Sequence, residues 1–437
     1  MNRREEYWTL ISKLKDEPAA LETSVQRAVK RGRRSRRLRS LNVFGGLAGA
    51  CAAFVLMVNT APAFAVSCGD IPVLKEIAAA VAWSPSLKQA IIHDYVQYVG
   101  QRQTADGVTV TLESVIADAR QLVVFYRAEG LDGWHSMSCN LKDKNGNDLE
   151  AYSVTSGSSQ DELNQFEIHF KDSAPPQDLI LETQLHLTDE LGQEGIHSNF
   201  TFTLHLNPRK TAQTIQLPVN QWVDVDGQRL LVERLELTPT KTALYLDDDS
   251  ANTAWLRRLE FHFTDADGNR YDKTDSAISS TGRADSEGFY TYYHQSLYFL
   301  KNLKGLTLHI TGADWLDKEN HTVELDLTTG QADWLPDYIQ KLAVKEENYV
   351  GSGPQKTLEI TSVNLGMCLE YTYYDPDGGE HHFNGGGMRR GYTDDQGVFH
   401  PHLFYYTLKD YPFDQVIVDL TYTHTSHLDV SIEIPAP

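Results

Sequence analysis

The chain has 437 residues, of which 41% are hydrophobic, and a formal net charge of −21. This length accommodates about three domains, and the ordinary apolar content excludes a chain that is disordered throughout. The charge is divided unevenly: residues 1–40 hold 12 Lys and Arg against 5 Asp and Glu, and the rest holds 27 against 55. Because an acidic body repels phosphates, we expect no nucleic acid among its partners.

Residues 1–40 are predicted to form a basic cytoplasmic helical tail. Apolar residues recur at helical spacing in Glu5–Lys15, and Pro18 ends the pattern. Forty residues cannot bury a core of their own, so this apolar face needs a partner. We expect five residues to bind it: Tyr7, Trp8, Leu10, Ile11 and Leu14. The alternative is that these side chains pack on each other or lie on the lipid surface.

Residues 41–66 are predicted to form one transmembrane helix. The run Leu41–Val58 contains no charge, and none follows before Val66, which suffices to span a bilayer. Eight basic residues in Arg27–Ser40 precede the run, so the N-terminus is expected in the cytoplasm and the bulk outside the cell membrane. The alternative is a signal peptide cleaved after Ala65, but its basic region would be unusually long.

The region beyond the membrane run contains an internal repeat. A strand, a short polar turn and a second strand occur in Gly107–Gly130, Asp226–Asp247 and Pro354–Gly378. In each copy an Asp/Asn-Gly turn follows, and two further alternating strands complete the unit. The pattern predicts three tandem immunoglobulin-like antiparallel β-sandwiches, in which Glu113 and Glu233 point outward.

The predicted domains follow from these copies. Juxtamembrane helices and the first sandwich take residues 67–206, the second sandwich takes 207–329, and the third takes 337–437. Linkers are expected near Asn207–Gln213 and Gly330–Glu347. One juxtamembrane helix is expected to start at Ser84-Pro85, to pack against the first sandwich or the membrane surface, and to couple the outer region to the anchor.

Several motifs resemble binding sites but favour structural roles. The sequences DKNGND (Asp143–Asp148) and DADGN (Asp265–Asn269) open like a calcium loop, yet both fall at a repeated hairpin turn. The pairs His381-His382 and His400-x-His402 are not expected to hold a metal, because adjacent strand residues point to opposite faces. The glycine-rich segment Gly385–Gly391 is interpreted as a mobile loop.

No catalytic motif is recognised, so we expect neither an enzyme nor a cofactor or metal site. Cys68, Cys139 and Cys368 match neither a zinc nor a redox spacing. They are interpreted as buried free thiols, and a Cys68–Cys139 disulfide is the alternative on an oxidising side of the membrane.

Five short segments carry a family resemblance: Pro62–Ala65, Ile71–Leu74, Tyr95–Gln97, Gly107–Val110 and Val115–Tyr126. Together they resemble, over about residues 40–130, a family of Gram-positive membrane proteins with a domain of unknown function after a single transmembrane helix. Such proteins are often described as candidate anti-sigma factors. The segment beginning LPVNQWVDVDGQRLL, at Leu217, resembles the Ig-like domain that often follows in them.

The resemblance implies a membrane-anchored signalling regulator whose cytoplasmic tail holds a sigma factor and whose outer domains sense the envelope. The tail departs from the common anti-sigma pattern, because it contains neither His nor Cys and hence no zinc site. The alternative is a cell-surface binding or structural protein, in which the tandem sandwiches hold an envelope ligand or protein and the tail serves only as a topology signal.

Overall fold

The computed structural model describes residues 84–437 apart from these positions: 132, 151, 158–162, 171–172, 189–193, 212, 274–278, 283–288, 349–353, 395 and 437. The predicted tail, the predicted membrane helix and Cys68 therefore lie outside the described residues. Within this described part, no helix is long and apolar enough to cross a membrane. The fold is mostly β, and all its recorded strand pairs are antiparallel.

The first β-sandwich consists of two sheets that enclose one core. Their strand orders are β1-β2-β3-β6-β5 and β4-β7-β8. Alternating apolar residues of both sheets, such as Val124 and Phe202, are fully buried between them. The strands are β1 Val96–Ala105, β2 Val108–Ala117, β3 Gln121–Glu129, β4 Trp134–Asp143, β5 Tyr152–Ser156, β6 Leu163–Phe170, β7 Asp178–Thr188 and β8 Glu194–His205.

One short helix, α1 (Pro85–Ile92), precedes this sandwich. The Ser84 hydroxyl caps it by accepting a hydrogen bond from the Leu87 N–H at 3.1 Å, and proline occupies its first turn, where no N–H is needed. Leu87 and Ala90 pack against the outer side of the first sandwich, on Val123 and Phe125 among others. The predicted helix start and its packing on the first sandwich are confirmed.

A second sandwich follows, with strand orders β14-β15-β11-β10-β9 and β13-β12-β16-β28. Its core includes Trp315, which is fully buried. The strands that precede the third sandwich in sequence are β9 Ile215–Val225, β10 Gln228–Leu237, β11 Thr242–Asp248, β12 Ala254–Thr264, β13 Arg270–Tyr271, β14 Ser280–Gly282, β15 Phe289–His294 and β16 Thr307–Asp317.

The third sandwich has strand orders β18-β17-β27-β21-β22 and β19-β20-β26-β23, and a separate two-stranded ribbon of β24 and β25. Its core is a distinct cluster of buried residues that includes Phe383. Its strands are β17 Thr322–Asp326, β18 Gln331–Ala332, β19 Ile339–Asn348, β20 Pro354–Ser362, β21 Leu369–Tyr374, β22 Glu380–His382, β23 Gly385–Arg389, β24 Tyr392–Thr393, β25 Phe399–His400, β26 His402–Lys409 and β27 Gln415–Leu420. The last strand of the chain, β28 His424–Glu433, belongs to the second sandwich.

The sheets do not follow the domain boundary predicted between residues 329 and 337. Strand β17, from the predicted second domain, pairs with β27 of the third sandwich. Strand β28, from the predicted third domain, pairs with β16 and places Ile432 and Ile434 in the second core. The second sandwich therefore contains a strand from the predicted third domain, and the third sandwich contains a strand from the predicted second domain.

The two predicted linkers have different outcomes. Residues 207–213 contain no strand in their described part, although Lys210 is buried and its ammonium lies 3.0 Å from both a carboxylate oxygen of Asp94 and the carbonyl oxygen of Val96. The linker predicted at Gly330–Glu347 is wrong, because β18 and β19 occupy much of it and β19 is a full strand of the third sandwich.

The predicted mobile loop at the glycine-rich segment is also wrong. Its first five residues form β23, an exposed strand at the end of its sheet that pairs with β26 along its length. Glycine weakens a strand because it has no side chain to pack, and here all five residues of the strand are exposed, so little packing is lost.

Glu113 lies outside the core of the first sandwich, as expected of an outward-pointing residue, but it is buried rather than exposed. Its strand, β2, has a register shift between Leu112 and Ser114, which breaks the strict alternation of faces. Glu113 is buried and its carboxylate lies 3.1 Å from the Arg127 guanidinium. The corresponding residue of the second copy, Glu233, lies at a matching shift in β10 and stays half-buried.

Candidate functional site

Buried polar side chains gather where the β2–β3 turn of the first sandwich meets the β10–β11 turn of the second. We call this cluster the joint. All but one of its members are at most 6% exposed, and the exception is a partly exposed arginine. Burying charges costs several kcal/mol each unless they are paired and hydrogen-bonded. The members are Asp118, Arg120, Gln121, Glu167, His169, Glu236, Thr240 and Lys241.

Both turns are fixed by their own side chains. Asp118 accepts hydrogen bonds from the backbone N–H groups of Arg120 and Gln121, both at 2.9 Å, as an aspartate at a turn commonly does. In the other turn, the Thr238 hydroxyl donates to the Lys241 carbonyl at 3.1 Å. The two turns occupy the same place in the first and second copies of the repeat, so the repeat brings like segments face to face.

Two contacts cross from one turn to the other. The Arg120 guanidinium makes a two-pronged contact with the Glu236 carboxylate, at 2.6 and 3.2 Å. This hydrogen bonding raises the pKa of Arg120. The second oxygen of Asp118 accepts from Thr240, through its hydroxyl at 2.6 Å and its N–H at 3.2 Å. Each turn therefore supplies partners for a buried carboxylate of the other.

A chain of polar contacts continues from these residues into the first sandwich. The Gln121 amide nitrogen donates to Glu167 at 2.8 Å, and Glu167 lies 3.4 Å from His169 Nε2. His169 Nδ1 lies 3.0 Å from the ammonium of Lys241, which also sits over the Tyr293 ring at 4.5 Å. Burial lowers the pKa of Lys241 to about 8 and lowers the pKa of His169. A neutral imidazole accepting from the ammonium satisfies this geometry.

Helix α1 and the residues after it also contact the second sandwich. The Ser86 hydroxyl accepts from the N–H of Ser296 in the second sandwich at 2.6 Å. Just beyond the helix, the His93 ring stacks on Phe299 with centroids 4.4 Å apart, and Tyr95 meets the same ring at 5.9 Å. The helix therefore packs on the first sandwich and is held by the second.

The site residues predicted in the tail, Tyr7 to Leu14, lie outside the described residues.

The turn interpretation of the two calcium-like motifs is confirmed. In the second, Asp265 accepts from the N–H groups of Asp267 at 3.0 Å and Asn269 at 2.9 Å, which lowers the pKa of Asp265 together with the Asn269 side-chain amide. Asp143 is bonded in the same way to Asn145 and Asn147. These carboxylates serve their own turns.

The histidines of the third sandwich are used locally. His381 lies 2.8 Å from Asp375 and His400 lies 3.0 Å from Asp394, each within its own hairpin turn. His402 accepts from the Gly391 N–H at 2.9 Å. Among the residues that the structure describes, no three His, Cys, Asp or Glu side chains are grouped so as to hold a metal.

The cysteines in the described part, Cys139 and Cys368, are free. Burial raises the pKa of both thiols to about 12, which makes them poor nucleophiles at neutral pH. The alternative disulfide of Cys139 with Cys68 involves a residue outside the described range.

Sequence reasoning missed the joint. Its members come from two copies of the repeat, and no local motif links Asp118 to a threonine 122 positions away. The two turns, ADARQ at 117–121 and TPTKT at 238–242, gave no signal either, because charged and hydroxyl residues are ordinary in solvated turns.

Two family models match parts of the chain. Residues 35–130 match a family described as "Domain of unknown function (DUF4179)", and residues 214–341 match a "Family of unknown function (DUF5643)". No curated protein matches the chain. The two matches agree with the domains of unknown function that the sequence resemblance implied.

Solved structures give only distant likenesses. The crystal structure of a conserved domain protein from Bacillus anthracis is 11% identical, with a TM-score of 0.37 over 73% of this chain and 92% of that chain. A marsupial T cell receptor is 10% identical, with a TM-score of 0.14 over 72% of this chain and 96% of that chain. The chain thus contains two recognisable domains of unknown function, and the function rests on its own residues.

Proposed function

We propose that the protein is a membrane-anchored signalling regulator of the anti-sigma type. In this proposal the basic tail holds a sigma factor in the cytoplasm, residues 41–66 form the single membrane helix, and the immunoglobulin-like sandwiches sense a change in the envelope. The unequal charge of the two parts and the uncharged apolar run between them support this topology.

The contacts of helix α1 support a regulatory role in addition to the membrane topology. Helix α1 is the first described element after the apolar run, and both the first and the second sandwich hold it, through Val123 and Phe125 on one side and Ser296 and Phe299 on the other. A rearrangement between the two sandwiches would therefore act on the segment that leads to the membrane. A purely adhesive region has no need for such a connection.

The test uses the full-length chain in membranes. We expect a sigma factor to co-purify with the native chain and to be lost from the Leu10→Glu/Leu14→Glu variant, because two charges on the apolar face of the tail disrupt a helix-in-groove contact. The matched control is Thr9→Glu/Ser12→Glu, which adds the same charge on the opposite face of the same predicted helix.

Recovery of a sigma factor with the native chain and the control variant, but not with the apolar-face variant, would support the regulator. Recovery of no sigma factor, or equal recovery with all three chains, would refute it.

A second candidate, a cell-surface binding protein, is favoured by one surface. Strand β23 and the β24–β25 ribbon of the third sandwich leave Met388, Tyr392 and Phe399 exposed, which is unusual for large apolar side chains placed close in sequence. We expect this function to show as binding of the full chain to isolated cell-wall fragments that Tyr392→Ser/Phe399→Ser weakens at least tenfold. Trp134→Ser, which removes an exposed aromatic ring from the first sandwich, is the control.

A further inference from the structure

The joint brings a buried hydroxyl, a carboxylate and a side-chain amide into mutual contact. The Thr240 hydroxyl oxygen lies 2.6 Å from Asp118 Oδ2 and 3.0 Å from the amide oxygen of Gln121. With a C=O bond of about 1.2 Å, the amide carbon lies within roughly 4.2 Å of the hydroxyl. All three residues are at most 3% exposed. A hydroxyl that donates to a carboxylate is the arrangement of an activated nucleophile.

We propose that Thr240 and Gln121 form an intramolecular ester that covalently joins the first and second sandwiches. The Thr240 oxygen attacks the side-chain carbonyl carbon of Gln121, the C–N bond of the amide breaks, and ammonia leaves. One C–O bond forms and one O–H bond breaks, so that a hydroxyl and a primary amide give an ester and ammonia without any oxidant or co-reactant. This inference does not depend on the regulatory function.

Asp118 is the general base of this reaction. Its Oδ2 accepts the hydroxyl proton at 2.6 Å, while its Oδ1 is held by the N–H groups of Arg120 and Gln121. These two hydrogen bonds fix the carboxylate at the turn, so it faces the nucleophile without rotating. Positioned general bases contribute about 100-fold to 10,000-fold in rate.

The leaving nitrogen requires a proton, and the chain from Glu167 to Lys241 supplies it. The Gln121 nitrogen lies 2.8 Å from Glu167, which lies 3.4 Å from His169 Nε2, and His169 Nδ1 lies 3.0 Å from the Lys241 ammonium. A proton passes from Lys241 through His169 and Glu167 to the nitrogen. Solvent then removes the proton held by Asp118 and restores the one lost by Lys241, so the charges balance.

The surroundings favour retention of the ester. Burial excludes water from the carbonyl carbon, which slows hydrolysis, and the release of ammonia into dilute solution draws the reaction forward. The lowered pKa of Lys241, about 8, suits a group that gives up a proton near neutral pH. Since the two residues belong to different sandwiches, the bond would prevent their separation.

The intact mass of the purified full-length chain tests the proposal directly. We expect it to be lighter by one ammonia than the sequence requires. Digestion with a Glu-specific protease should then yield residues 114–129 and 237–260 as one cross-linked species. This protease avoids a tryptic cut after Arg120, which would expose Gln121 as an N-terminal residue that loses ammonia on its own.

Substitutions separate the ester from other losses of ammonia. Thr240→Val should restore the full sequence mass of the variant and abolish the cross-linked species. The control Thr311→Val, in β16 and outside the joint, should keep both the missing mass of one ammonia and the cross-linked species. Asp118→Asn should slow the cross-link about 100-fold. Hydroxylamine, which cleaves esters much faster than ordinary amides, should separate the two cross-linked peptides of the digested native chain.

The mass measurement on the native chain decides the question, because it does not depend on the folding of any variant. If its intact mass equals the sequence mass, or if the two peptides separate without hydroxylamine, Thr240 and Gln121 are joined only by a hydrogen bond and the proposal is overturned.

Discussion

Arg120 and Arg102 both pair with a glutamate, but in opposite surroundings. The partner of Arg120, Glu236, is 1% exposed, whereas Arg102 and its partner Glu129 are both exposed. Removing one member of a buried pair leaves an uncompensated charge, so Arg120→Met should reduce the free energy of unfolding by about 3 kcal/mol. Native-state hydrogen exchange of β3 and β11 in the full chain measures this loss.

Arg102→Met is the matched control for that substitution. An exposed pair contributes at most about 1 kcal/mol, so this variant should be close to the native chain. Equal losses from both variants would mean that the joint does not bury its charges as described.

Lys241 predicts an unusual pH dependence at alkaline pH. Burial lowers its pKa in the folded chain from 10.5 to about 8. Between these values the unfolded chain binds more protons, so stability rises with pH, by up to about 1.4 kcal/mol per unit. Below pH 8 both states are protonated and the burial cost is fully present. Chemical denaturation from pH 7 to pH 11 should show this rise, and Lys241→Met should abolish it.

An exposed lysine gives the comparison for this pH profile. Lys144→Met removes the same type of charge from a surface turn and should leave the rise in place. A native profile that is flat or falls between pH 8 and pH 10.5 would contradict the burial of a charged Lys241.

Single residues differ in how far the sequence reveals them. The turn role of Asp265 was predictable, because Asp, Asn and Gly within five residues specify a tight turn by local hydrogen bonds. The burial of Glu113 was not, because its partner Arg127 lies beside it only after β3 has paired with β2. Hydrogen bonds between residues close in sequence can be predicted from the sequence. The pairing of a buried charge with a residue distant in sequence cannot.

The elements follow the same distinction. Periodicity and capping signals within about ten residues predicted the strand–turn–strand of each repeat, the helix at Ser84-Pro85 and the repeated turns. They could not predict the partners of β17 and β28, since an alternating strand fits any sheet that offers an apolar face. The glycine-rich β23 lacked even that alternation, so only its pairing with β26 reveals it as a strand.

The strand exchange makes a testable distinction between the second and third sandwiches. Ile432 lies in the sequence of the predicted third domain but in the core of the second sandwich, next to β16. Ile432→Ala should therefore reduce stability by about 2–5 kcal/mol and raise hydrogen exchange first in β16. Val418→Ala, in the core of the third sandwich, should instead raise exchange in β17.

The opposite assignment would refute the exchange. If Ile432→Ala loosened β27 and left β16 protected, the last strand would belong to the third sandwich, as the sequence alone suggested.

At the scale of the whole molecule, contacts between units are as specific as those within them. The first two sandwiches share a buried polar joint, and the second and third share strands. The segment around α1 is held by both of the first two. None of these connections is encoded in one stretch of sequence, because each joins residues more than 80 positions apart. The strand–turn–strand units of the repeat were therefore predictable individually, but the connections between the sandwiches were not.

This arrangement predicts that a change in the second sandwich reaches the helix that packs on the first. Phe299→Ala removes the ring on which His93 stacks and which Tyr95 contacts. Aromatic pairs of this kind contribute about 0.5–1.5 kcal/mol beyond their buried area, so amide exchange in α1 should accelerate about threefold to tenfold. Phe399→Ala, an exposed aromatic of the third sandwich, should leave α1 unchanged. Equal protection of α1 in all three chains would mean that the second sandwich does not hold the helix, and the coupling on which the regulatory proposal rests would lose its physical basis.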